Sequence, residues 1–217
     1  LGLGILASCA DRLDLVNPNQ QTSGSFGYTI DDLEESVIAA YNHIRIEGTY
    51  ARTGYTIDMT RGDEVWNSSQ QWYLSFDDLN VPFTDAITSW PWRDWYYTIN
   101  ACNFIISRCG EDDSQLSERM KYVKGQALFL RGLSYYNLAG YYQNPPLITD
   151  YDNYSTLETI YVPNSSYDAV LDQVESDFKD AMGMLPSRDE GGEWASGRAT
   201  CGSAAGADDG GKEPTGE

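Results

Sequence analysis

Met120 to Thr149 reads MKYVKGQALFLRGLSYYNLAGYYQNPPLIT. At helical spacing Val123, Ala127, Leu130, Leu133 or Ser134, Leu138 and Tyr141 share one face, while Lys121, Lys124, Arg131 and Asn137 fall off it. That spacing predicts a long amphipathic helix. Tyr135, Tyr136, Tyr141 and Tyr142 crowd its far end, and Pro145 and Pro146 follow. Neither proline can donate to a helical ladder and each restricts the residue before it, so the helix stops near Gln143. Gly125, Gly132 and Gly140 lower intrinsic helicity, and with Ala139 they let a second helix approach closely. Tertiary packing must then supply the stability.

The run Gln126 to Leu138, QALFLRGLSYYNL, followed by a Pro-Pro-Leu turn, resembles the core helix of SusD/RagB-like outer-membrane nutrient-binding lipoproteins. The aromatic pair Trp95 and Tyr96, with Ile99, Asn103, Ile105 and Ile106 at fixed offsets, is similar to a second helix of that family. Cys9 to Asp14, CADRLD, is similar to the start of its mature proteins. Val162-Pro163, Asp177 and Leu185-Pro186 resemble its next helix, and Gly197-Arg198-Ala199-Thr200 a segment that precedes a further one. The resemblance implies a right-angled helical scaffold, a glycan or peptide nutrient as ligand, and delivery of that ligand to a TonB-dependent outer-membrane transporter.

The bulk numbers fit such a scaffold and exclude other classes. A chain of 217 residues with 41% hydrophobic content is long enough to build a core. A net charge of −19 argues against nucleic acid and anionic headgroups as partners, because both need a basic patch. The aromatic content, 16 Tyr and 6 Trp against 6 Phe, favours rings with a polar handle, which serve surfaces as well as cores.

Leu1 to Ala7 is apolar, and Leu6-Ala7-Ser8-Cys9 follows a bacterial lipobox. Residues 1–8 read as part of a lipoprotein signal peptide, with Cys9 as the lipidated residue and the membrane reached through that anchor. The apolar run is too short to span a bilayer. Residues 9–200 form the helical domain, and residues 201–217, which lack any large apolar side chain, read as a disordered tail from a shifted frame or broken gene.

Within the domain, Thr29 and Asp32 open a helix running to about Ile46, with Leu33, Val37, Ala40, Tyr41 and Ile44 on one face. Gly48 to Thr88 shows no sustained helical period and interleaves Trp66, Trp72, Tyr73, Phe76 and Phe83 with polar residues. It reads as a long loop with short ordered pieces, the kind of segment that carries binding residues on a helical scaffold. Trp66, Asn67, Trp72 and Tyr73 are the candidate ligand residues, two large rings beside polar groups. Their alternative role is to anchor the loop to the helices. Ser89 and Pro91 mark the start of a helix from Trp90 to Arg108, in which Asn103 reads as a buried hydrogen-bonding residue between helices. Pro163 to Ser166 cap a last helix reaching Leu185.

No sequence pattern for catalysis or a cofactor appears. The single histidine, His43, excludes a multi-histidine metal site and sits mid-helix without a nucleophile motif. Asp150 to Tyr154 resembles the opening of a calcium loop but lacks its glycine and closing glutamate. Cys102 and Cys109 lie about 10 Å apart along a helix axis, too far for a disulfide. The fold class is therefore all-α, stacked helix pairs of tetratricopeptide-like form, with one long aromatic-rich loop. The function is ligand binding at an outer membrane, or alternatively a helical interaction scaffold without a small ligand.

Overall fold

The computed structural model describes residues 26–27, 29–67, 71–81, 86–152 and 161–186, with the backbone alone for Gln71, Trp72 and Ala86. Among these lie six α-helices: α1 (Ile30–His43), α2 (Thr53–Thr60), α3 (Gln71–Asp77), α4 (Ala86–Cys109), α5 (Glu118–Tyr142) and α6 (Tyr167–Met184). Side chains close the N-termini of α1, α5 and α6, at α1 and α6 as the sequence predicts. The Thr29 hydroxyl accepts from the Asp32 N–H and the Asp32 carboxylate accepts from the Thr29 N–H, each at 3.2 Å, a complete capping box. Ser117 and Ser166 accept from the N–H groups of Met120 and Ala169. Gln143, at φ +63°, takes the chain out of α5 just before the two prolines.

Helix α5 packs against α4, α6 and α1. The glycines explain how α6 comes so close. A Cβ at Gly132 would lie 3.0 Å from the Phe178 ring, and one at Gly125 would lie 3.0 Å from the Leu185 side chain. Two apolar clusters result. Leu33, Val37, Cys102, Ile105, Val123 and Leu130 join α1, α4 and α5, and Trp95, Ile99, Tyr135, Val170 and Phe178 join α4, α5 and α6. Cys102 and Cys109 are free and buried, and burial pushes their thiols up to about 12 and about 11.

Three expectations change. Helix α4 begins at Ala86, ahead of Ser89, so Pro91 lies inside it. Gly48 to Thr88 contains a π-helical turn over Glu47–Ala51 together with α2 and α3, pieces of five, eight and seven residues that are too short to display a helical period in sequence. Lys124 and Arg131, read as lying off the apolar face, are buried because each finds partners there. Lys124 Nζ donates to the Gly110 carbonyl at 2.8 Å and to Asp113 Oδ1 at 2.7 Å.

Arg131 organises the centre of the molecule. Its Nε and Nη2 donate to the two Asp177 oxygens at 2.9 and 2.6 Å, and its Nη1 donates to Asn103 Oδ1 at 3.0 Å and to the Thr149 carbonyl at 3.2 Å. Asn103 Nδ2 in turn donates to the Ile148 carbonyl at 2.6 Å, as expected of a buried residue between helices. The Tyr135 hydroxyl accepts from the Ile148 N–H at 2.7 Å, and Tyr96 donates to the Pro146 carbonyl at 2.7 Å. Residues 146–149 thus form a strap held against α4 and α5 by polar groups, with Arg131 linking it on to Asp177 of α6. Burial alone would lower the Arg131 pKa, but the bonds and charge of Asp177 more than reverse that and raise it.

Candidate functional site: an aromatic cleft

Pro91 lacks an N–H, and its ring crowds the carbonyl four residues back, so the α4 ladder is weakened near its start. One residue later the Trp92 N–H donates to the Tyr142 hydroxyl at 3.0 Å, and that hydroxyl donates to the Thr88 carbonyl. An uninterrupted helix would join Thr88 and Trp92 directly. Here a side chain from α5 stands between them. The insertion seats the Trp92 and Tyr142 rings edge to face, centroids 5.0 Å apart, with Tyr141 a further 6.3 Å from Tyr142. Burial pushes both tyrosine hydroxyls above their usual range.

These rings form one wall of a cleft of about 580 Å³. Phe76 from α3, Leu79 and Val81 from the turn after it, and Arg61 at the end of α2 face them, with Thr88 and Ser89 between. The volume falls within the ~300–1,000 Å³ typical of small-molecule sites, and the lining has their usual character, apolar rings with a few polar groups. Among the described residues no group of three or more His, Cys, Asp or Glu is arranged to hold a metal ion. His43 is half-buried, its ring 6.2 Å from that of Tyr97.

The structure separates the residues singled out in the sequence. Trp66 is 76% exposed, in a loop tied to the α3 end of the cleft where the Asn67 N–H donates to Asp77 Oδ2 at 2.8 Å. Tyr73 is 2% exposed and packs with Ile57, Phe76 and Ile87 behind the cleft wall, offering no surface to a ligand. Its hydroxyl has no hydrogen-bond partner among the described residues. Trp72 belongs to α3, and its side chain, like Cys9, lies outside the described residues. Sequence reading missed Trp92, Tyr141 and Tyr142 as cleft residues. The available signal was a proline placed directly before a tryptophan in a helical run.

A stack of helices bearing an aromatic cleft belongs to the tetratricopeptide-like all-α class. Residues 11–206 match the model of the SusD-like family described as starch-binding and associating with the outer membrane, and the chain belongs to that family. Solved structures agree on the fold. A SusD-like protein from Bacteroides fragilis superposes with a TM-score of 0.66 at 22% identity, over 85% of this chain and 36% of its own. A laminarin-binding SusD-like protein gives 0.66 at 22%, over 82% and 39%. Surface glycan-binding protein A from Bacteroides uniformis gives 0.59 at 21%, over 73% and 35%. The chain therefore spans little more than a third of the length of these three proteins. No curated protein sequence matches it. No helix among the described residues is long and apolar enough to cross a membrane.

Proposed function

We propose that the chain is the helical part of an outer-membrane lipoprotein that binds a neutral glycan and passes it to a TonB-dependent transporter. The family match over residues 11–206 carries this reading, and the cleft supplies its chemistry. A sugar ring has an apolar C–H face that packs on rings such as Trp92 and Tyr141, while its hydroxyls take the polar groups of Arg61, Thr88 and Ser89. The net charge of −19 repels polyanionic glycans and favours neutral ones. Trp66, Asn67 and Trp72 remain the proposed ligand-binding residues of the segment leading into the cleft, and Tyr73, buried in the cluster with Ile57, Phe76 and Ile87, leaves that set. Trp66 contacts the ligand from the rim, and Tyr73 shapes the wall from behind.

Calorimetry of the chain against laminarin, starch and a uronic-acid polymer tests the reading. Binding of at least one neutral glycan is expected. Trp66→Ala should then lose about 1 to 1.5 kcal/mol of affinity, near tenfold, with no change in melting temperature because the ring lies in solvent. Binding of none would return the chain to the role of a helical interaction scaffold.

The anchor rests on the lipobox. In cells expressing the chain behind a complete lipoprotein leader, palmitate incorporation should disappear in Cys9→Ser. Unchanged labelling of that variant would remove the anchor from the proposal.

A further inference from the structure

Beside the aromatic cleft, on the α5–α6 surface, is a second cavity of about 280 Å³. Two of its walls are tyrosines that the core leaves half in solvent: Tyr136 on α5, 48% exposed, and Tyr167 at the start of α6, 44% exposed. Gly140 lies one turn beyond Tyr136 on the same helix face. A Cβ built there meets nothing within 4 Å, so this position opens onto free space. Asp58 and Arg61, three residues apart at the end of α2, close the third side. The Asp58 carboxylate is 3.4 Å from the Tyr141 hydroxyl, and neither Asp58 nor Arg61 forms an ion pair among the described residues. Asn137 is held in place by its amide, which donates to the Leu133 carbonyl at 2.8 Å and the Tyr50 hydroxyl at 2.9 Å.

We propose that this pocket is a single-ring sugar subsite, which takes a neutral pyranose at a branch or end of a glycan whose remainder lies in the larger cleft. The proposal rests on the glycan reading of that cleft. Arg61 and Tyr141 line both cavities, so the two are neighbours along one surface. A volume just under the ~300 Å³ lower bound of ordinary ligand sites suits one ring and not a chain of them. A pyranose offers an apolar face to a tyrosine ring and a pair of adjacent hydroxyls to a carboxylate, which accepts from both. Arg61 supplies the complementary donors. Asp58 and Arg61 together leave the pocket without net charge, which suits a neutral ring, and a uronic acid would gain at Arg61 what it loses against Asp58.

Gly140→Trp tests the subsite, because the new side chain fills the pocket without meeting a neighbour at its Cβ. Its melting temperature should not fall, since tryptophan has a higher helix propensity than glycine. Its affinity for laminarin or starch, whichever the parent chain binds, should drop about tenfold. Tyr136→Ala should weaken binding of the same glycan by a similar factor, which keeps the test open if the tryptophan disturbs the fold. Asp58→Asn should raise affinity for a uronic-acid polymer relative to the neutral one. Unchanged neutral-glycan affinity in both Gly140→Trp and Tyr136→Ala overturns the subsite while leaving the cleft reading intact. Absence of glycan binding by the parent chain overturns both.

Discussion

Arg131→Met is expected to destabilise the chain by about 3 to 5 kcal/mol, because it strands the Asp177 carboxylate in the core without its partner. Asp177 is 1% exposed, so water cannot replace the lost guanidinium. The same substitution releases the Thr149 carbonyl and one bond to Asn103, loosening the strap at 146–149. For a domain of this size each kcal/mol shifts the melting temperature by about 2 to 4 °C, so a fall of roughly 10 °C should be seen by circular dichroism. Removing both charges is a different matter. Arg131→Met with Asp177→Leu should recover much of the loss, since well-packed apolar side chains serve a core about as well as a buried ion pair. A single variant that melts within two degrees of the parent, or a double variant no better than the single, would show that the pair does not hold α5 to α6.

Gly48→Ala and Gly140→Ala, the same chemical change, should move stability in opposite directions. At Gly48 the added Cβ would lie 2.4 Å from the Trp90 carbonyl oxygen and 2.5 Å from Asp94 Oδ2. The Gly48 N–H already donates to that carboxylate oxygen at 2.8 Å, so the turn is fixed against α4. Backbone atoms of a helix cannot rotate aside as a flexible side chain can. The cost should reach the upper end of the ~1 to 3 kcal/mol seen for overpacking. At Gly140 nothing stands within 4 Å, and alanine should gain about 0.8 to 1 kcal/mol from helix propensity alone. Urea denaturation of the two variants resolves a difference of this size. Midpoints that shift in the same direction would contradict the close approach of the 47–51 turn to α4.

The contrast between these two glycines also marks how much the sequence discloses. Helix α5 is legible because 25 residues carry enough turns for its stripe to emerge, and its end is punctuated by prolines. The starts of α1 and α6 are legible because Thr29 and Ser166 are residue types that cap helices for a local reason. Burial of Arg131 is not legible, since its partner Asp177 lies 46 residues away and a charge within a helical pattern reads as solvent-facing until that partner is known. The cleft is legible only in part. Its polar-aromatic approach near Trp66 is visible as composition, but Tyr142 and Trp92 meet through a bond across 50 residues, which no periodicity reports. Likewise α2 and α3 complete too few turns to reveal a buried side.

The Tyr142 hydroxyl within the α4 ladder has one more consequence. Because it completes a backbone connection of another helix, the first turn of α4 cannot swing outward without drawing the end of α5 with it. The part of the aromatic wall made by Trp92 and Tyr142 is consequently tied to two helices at once. On the proposed glycan reading, a weakly interacting guest such as a sugar, which loses much of its binding energy when a receptor must reorganise, would meet a preorganised slot.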